Sequence, residues 1–162
     1  MHYSNDTGRN DFVSLKVARD KEFLYFYAQT KDAITPFTDP HWMMLFISLG
    51  PDAGPSWEGY QYVLNRLPAD ARQATLEQNT GGWNWKAKSQ VRYRVVGNEM
   101  QVAIPRADLG LLDPAKPLRI EFKWMDNMQR EGDITEFEVN GDAAPNGRFN
   151  YVYQEPNGTV RR

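Results

Sequence analysis

Apolar and polar residues alternate along most of this chain with a period of two. Val13, Leu15 and Val17 alternate with Ser14, Lys16 and Ala18, which predicts a strand with one buried face. Arg19-Asp-Lys-Glu22 supplies a polar turn, and Phe23-Leu-Tyr-Phe-Tyr27 is a near-continuous aromatic run; together they predict an antiparallel hairpin. Residues 42–49 (Trp-Met-Met-Leu-Phe-Ile-Ser-Leu) are apolar on both faces, the pattern of a central strand. Tyr60, Tyr62 and Leu64 alternate with Gln61, Val63 and Asn65, and residues 72–78 form a weaker strand. Val91, Tyr93 and Val95 alternate with Arg92 and Arg94, giving one apolar and one basic face. Gly97-Asn98 tolerates positive φ and closes a hairpin with residues 99–104. Ile120, Phe122 and Trp124 alternate with Arg119, Glu121 and Lys123. Phe137-Glu-Val139 is a short segment between polar loops, and Phe149, Tyr151 and Tyr153 mark the last strand. Residues 106–111 are the one helical candidate, with Pro105 at an early position. Short strands with turns every eight to twelve residues predict an all-β, antiparallel β-sandwich, jelly-roll-like, of nine to eleven strands.

At 162 residues the chain suits one domain, burying roughly two thirds of its unfolded surface without staples. Residues 1–10 and 154–162 are expected to be flexible ends. The opening His2-Tyr-Ser-Asn-Asp-Thr-Gly8 is polar and lacks the apolar region of a signal peptide, and a strand follows almost at once. The chain therefore reads as a piece of a longer polypeptide, with any targeting signal outside it. Cysteine is absent, which excludes disulfides, thiolate zinc sites and a cysteine nucleophile. A formal charge of -2 from well-mixed charges gives no electrostatic footprint for nucleic acid or anionic membrane, and no nucleic-acid partner is expected. No apolar run approaches ~18 residues, so no membrane insertion is expected.

Catalytic signatures are lacking. His2 and His41 cannot build a histidine-rich metal site, and no Gly-x-Ser-x-Gly or phosphate-cradling glycine loop occurs. The expectation is a chain that is not an enzyme and carries no cofactor. The aromatics are more informative. Trp83 and Trp85 project to the same face of a strand, either into the core or as a flat platform on which a pyranose stacks, with Asn84 and Lys86 off it. Trp57 lies in the loop Gly54-Pro-Ser-Trp-Glu-Gly59 and is the best candidate for exposure, whereas Trp124 reads as core. Asn65, Arg66 and Asn84 are the neighbours expected to supply hydrogen bonds. Residues 126–133 collect oxygen ligands suited to Ca²⁺ but lack a regular calcium-loop spacing. Asp126 and Asp133 therefore read as turn-forming or salt-bridged groups, with Ca²⁺ as the alternative.

The hairpin Lys16-Val-Ala-Arg-Asp-Lys-Glu-Phe-Leu-Tyr-Phe-Tyr-Ala-Gln-Thr-Lys-Asp32 resembles the opening of family-nine carbohydrate-binding modules and the wider DOMON-like superfamily. Asp39-Pro-His-Trp42 with Leu45-Phe-Ile-Ser-Leu49 is similar to their loop tryptophan and following apolar strand. Asn98-Glu-Met-Gln-Val-Ala-Ile-Pro105 and residues 120–127 resemble two later strands, so the likeness covers about 11–153. It implies a non-catalytic, extracytoplasmic carbohydrate-binding accessory module of a larger glycan-processing protein. The sugar would meet Trp42, Trp57, Trp83, Trp85, Asn84 and Arg66.

The chain also departs from that pattern. Met43-Met-Leu-Phe46 is apolar where sugar-binding members carry Asp and Glu, and Phe149, Tyr151 and Tyr153 replace a C-terminal Trp. A second reading follows, a structural or interdomain-packing sandwich that has lost the sugar site. Some DOMON-like members bind haem through Met and His, for which this chain offers only Met43 or Met44 beside His41. The expected partners are carbohydrate or neighbouring domains of the same chain.

Overall fold

The computed structural model describes residues 8–139, 141–155 and 159–161, the last three by their backbone. His2 and the rest of residues 1–7 lie outside the described residues. The strands are β1 (Phe12–Arg19), β2 (Phe23–Thr30), β3 (Met44–Ser48), β4 (Tyr62–Pro68), β5 (Gln73–Gly81) and β6 (Asn84–Val96). They continue as β7 (Glu99–Pro105), β8 (Arg119–Asp126), β9 (Asp142–Ala144), β10 (Tyr151–Gln154) and β11 (Thr159–Arg161). All pair antiparallel in one sheet, in the order β1-β2-β7-β6-β5-β4-β3-β8-β10-β11, with β9 also on β8. The expected all-β antiparallel class is therefore present, realised as one sheet curled into a near-closed barrel whose walls face each other like the layers of a sandwich.

Period-two alternation builds the interior. Leu24, Phe26 and Ala28 of β2 point inward and meet Ile120, Phe122 and Trp124 of β8 in one core, with Phe26 edge-on to Phe122 at 5.3 Å. The seam between β1 and β9 is where the barrel stays open. There the Phe12 amide donates to the Asp142 carboxylate at 2.5 Å beside an opening of about 340 Å³. A bulge between Phe12 and Ser14 inverts the expected phase of the first strand residues. Phe12 consequently packs on Trp124, while Val13, expected inside, is exposed.

Apolarity on both faces of β3 has a direct cause. Leu45 and Ile47 enter the barrel core, whereas Met44 and Phe46 face outward into a second cluster formed with Trp57, Tyr60, Met125 and Phe137. Segments 50–60 and 127–139 fold back over this outer face and cover it. Tyr60 thus lies outside and Tyr62 inside, against the simple alternation expected for them.

Several boundaries also differ. Residues 106–111 supply only a 3-10 turn, Arg106–Leu109, ended by Gly110 in the left-handed region. The short segment at Phe137–Val139 is part of a single helical turn, Glu136–Val139, because its amides bond back to Asp133, Ile134 and Thr135. Phe149 precedes β10 and is 79% exposed. Asn10 is buried and hydrogen-bonded with Thr35, and β11 pairs with β10, so neither expected flexible end is free along its whole length.

Candidate functional site

The tryptophans do not form the surface expected of them. Trp42 lies inside the barrel against Tyr93 at 5.6 Å, its indole N–H donating to the Thr35 carbonyl at 2.9 Å. It offers no exposed ring wall. Trp57, expected exposed, is 5% exposed. Reciprocal backbone hydrogen bonds with Tyr60, 3.0 and 2.8 Å, turn its loop back on the sheet. The ring then packs against Phe46, Phe137 and Trp83 at 5.3, 5.8 and 4.6 Å. Burial of so large an apolar ring is strongly favourable, which outweighs the general tendency of loop residues to be exposed. Trp83 and Trp85 are half-buried at the edge of this cluster and meet at 5.5 Å with planes 87° apart. Perpendicular rings share no flat platform. Asn84 closes the hairpin turn, donating to the Gly81 carbonyl at 2.7 Å. Trp124 is in the core as expected.

Arg66 belongs to a polar clasp at one rim. Its guanidinium donates to both Glu77 oxygens, at 2.9 and 2.8 Å, and approaches Glu131 at 3.9 Å. His41 stands 3.6 Å from the other Glu131 oxygen. Behind them Asp126 is fully buried, accepting from Arg9 at 2.8 Å and from the Met43 amide at 2.9 Å. Burial pushes the Asp126 carboxyl up, and Arg9 works against that shift. His41, Met43, Asn65 and Asn127 all hold positive φ, 53°, 45°, 72° and 62°, a cluster of backbone strain held by this network. The clasp borders a groove of about 370 Å³ lined by Phe37, Asp39, His41, Arg66 and Glu131. Asp126 is thus salt-bridged, and Asp133 forms a turn by accepting from the Thr135 amide and hydroxyl at 2.9 and 2.6 Å. Those are the two roles expected of these carboxylates.

A different surface gathers binding chemistry. Because Leu24, Phe26 and Ala28 face the core, Phe23, Tyr25 and Tyr27 must face outward from β2. Strand register places Tyr27 between Lys16 of β1 and Gln101 of β7, and Gln101 opposite Arg94 of β6. A parallel ladder runs Ala18, Tyr25, Ala103, Arg92. Tyr25 is 39% exposed, with the short side chains of Ala18 and Ala103 as its cross-strand neighbours. The Tyr25 hydroxyl donates to Asp20 at 2.7 Å and the Tyr27 hydroxyl to Glu99 at 2.5 Å. Each of these bonds favours the neutral phenol and raises its pKa above 10.0. The Lys16 ammonium sits 5.1 Å above the Tyr27 ring centre, a cation–π contact.

Two adjoining depressions mark this face. One, of about 370 Å³, is lined by Lys16, Ala18, Tyr25, Tyr27, Glu99 and Gln101. The other, of about 230 Å³, is lined by Arg94, Val96, Glu99 and Gln101. They share Glu99 and Gln101, so they form one trough across β1, β2, β7 and β6. Three interstrand steps make it ~14 Å long. The side chains of Arg92 and Arg94 have no hydrogen-bond or ion-pair partner among the described residues. Sequence reasoning, drawn to tryptophan, passed over this site. Its signal lay in phase: Tyr25 and Tyr27 alternate against a buried set, as Lys16, Arg92 and Arg94 do on their own strands. No protein family, curated protein or solved structure matches this chain.

Proposed function

We propose that this chain is a non-catalytic carbohydrate-binding module, an extracytoplasmic accessory to a larger glycan-processing protein, and that sugar lies on the outer β1–β2–β7–β6 face. The carrying observation is the pair Tyr25 and Tyr27, tied to carboxylates and lying beside a trough of amide, carboxylate and cationic side chains. A pyranose needs an aromatic face for its C–H surface and hydrogen-bonding groups for its hydroxyls. Tyr25, the more exposed of the two rings, supplies the first, and Gln101, Glu99 and Lys16 the second. Tethered hydroxyls restrict ring motion in advance, so less ordering entropy opposes binding. The attachment to a larger protein and the extracytoplasmic placement rest on the family resemblance alone.

A trough this shallow supports micromolar to millimolar dissociation constants, about -8 to -4 kcal/mol. Calorimetric titration with a panel of oligosaccharides tests the reading. Heat of binding that disappears in Tyr25→Ala/Tyr27→Ala, in a protein that still melts cooperatively, supports it. Silence across the panel at millimolar concentration sinks it.

The packing-module reading retains one specific support. Trp83 and Trp85 are half-buried on one cluster, and Val139, at the end of a helical turn, and Phe149 are exposed large apolar side chains. If no glycan binds, burial of these residues by a neighbouring domain becomes the better account.

A further inference from the structure

We infer that the ligand on this face is an acidic polysaccharide, lying across the strands along the Lys16–Tyr27–Gln101–Arg94 ladder; the inference rests on the carbohydrate-binding reading. Charge on the face carries it. Lys16 comes from β1, Glu99 from β7, and Arg92 and Arg94 from β6. Lys16 and Arg94 line the trough with Glu99, and Arg92 stands beside it on the same face, so three cations against one carboxylate leave this face at +2 within a chain whose formal charge is -2. The 19–22 turn at one end adds no net charge to it. Asp20 and Glu22 there are matched by Lys21 and by Arg106, which donates to the Asp20 carbonyl at 2.9 Å, and Arg19 pairs with Glu155. The neighbouring residue of β5, Gln73 opposite Arg92, is uncharged.

The cations are placed for a chain-like anion. Arg92 and Arg94 are two residues apart on the same face of β6, ~6.6 Å in strand rise, and oppose the short Ala103 and the neutral Gln101. Their guanidinium groups have no partner among the described residues and are available for bidentate bonds to carboxylate or sulfate oxygens. Lys16 closes the other end of the ladder, with the Tyr27 ring and Gln101 between the positive ends. A neutral glycan would use the ring and the amide and leave Arg92 and Arg94 unused. Glu99 in the floor is an acceptor for sugar hydroxyls.

The test uses the whole chain against polygalacturonate, chondroitin sulfate, neutral xylan, a neutral β-glucan and single-stranded oligo-dT, each at low and moderate salt. Binding to polygalacturonate or chondroitin sulfate that weakens with salt is the expected result, and the two polymers separate carboxylate from sulfate as the recognised group. Arg92→Gln/Arg94→Gln should lower that affinity roughly tenfold or more while the melting curve stays close to that of the unmodified chain. Equal binding of neutral glycans, unaffected by the double substitution, overturns the acidic-ligand inference and leaves the carbohydrate reading standing. Absence of binding to every glycan sinks both. Tighter binding of oligo-dT than of any glycan also overturns both, in favour of nucleic-acid recognition by ring stacking and charge.

Discussion

Tyr27 and Glu99 are joined diagonally across the β2–β7 pair, phenol to carboxylate at 2.5 Å, although the register partner of Tyr27 is Gln101. The diagonal bond draws the ring along the strand and holds it beneath the Lys16 ammonium. One residue therefore receives a cation on its face and an anion at its hydroxyl.

That pairing predicts a titration. The Tyr27 phenol ionises above the ordinary 10.0 because its hydroxyl donates to Glu99. Since the folded pKa is raised, its stabilising effect is present below the unfolded pKa and lost as pH rises through the folded one. Glu99→Gln should bring the Tyr27 phenol back toward its ordinary value, read from its ring resonances in an NMR pH titration. An unchanged titration would show that the bond does not persist in solution.

Lys123 predicts a second pH dependence. It sits on the outer face of β8, fully buried, donating to the Pro145 carbonyl and standing 5.1 Å from the Phe137 ring centre. Burial lowers its pKa from 10.5 to about 7. The unfolded chain therefore binds one more proton over this interval, and stability contributed by this group rises with pH from about 7 to 10.5. Urea unfolding of Lys123→Met should show a flatter pH dependence over pH 7–9 than the unmodified chain, by comparison at matched buffer. An identical slope in the two proteins would contradict it.

Trp57 and Tyr25 should separate stability from binding. Trp57→Ala empties the centre of the outer cluster and should cost about 3–5 kcal/mol, measured by urea unfolding. Tyr25→Ala removes a ring from an exposed face and should leave the unfolding midpoint nearly unchanged while weakening glycan binding. A stable Trp57→Ala variant would mean that the cluster repacks without it.

Half-buried Arg9 and fully buried Asp126 form a pair whose loss should be non-additive. Arg9→Met leaves a carboxylate without its cation and should cost on the order of 3 kcal/mol. Asp126→Asn alone should also destabilise, since Arg9 then loses its carboxylate partner at 2.8 Å and keeps only the looser approach to Asp39 at 4.0 Å. In the double variant the loss should be well below the sum of the two, read as a coupling energy from denaturant unfolding. Simple additivity would mean that Arg9 acts through its bonds to the Pro40 and His41 carbonyls instead.

Much of the architecture is local and was legible in order along the chain. Alternation assigns Ile120, Phe122 and Trp124 to one side of β8, and Asp20 builds its turn by accepting from the Glu22 and Phe23 amides at 2.8 and 2.7 Å. The side on which a residue stands depends on its own strand, and period two reports it. What covers that side depends on the whole fold. Lys123 and Tyr27 both stand on outward positions of their strands, and nothing in their local pattern separates them. Segments 127–139 and 50–60 fold over the first face, burying Lys123 and Trp57, while no segment among the described residues covers the second. Tertiary structure decided that difference, because loop burial is driven by apolar area from distant positions such as Phe46 and Phe137. Register decided the rest. Positions 16 and 27 come from one hairpin and 94 and 101 from another far along the chain, and only the β2–β7 pairing sets a lysine, a tyrosine, a glutamine and an arginine in one line.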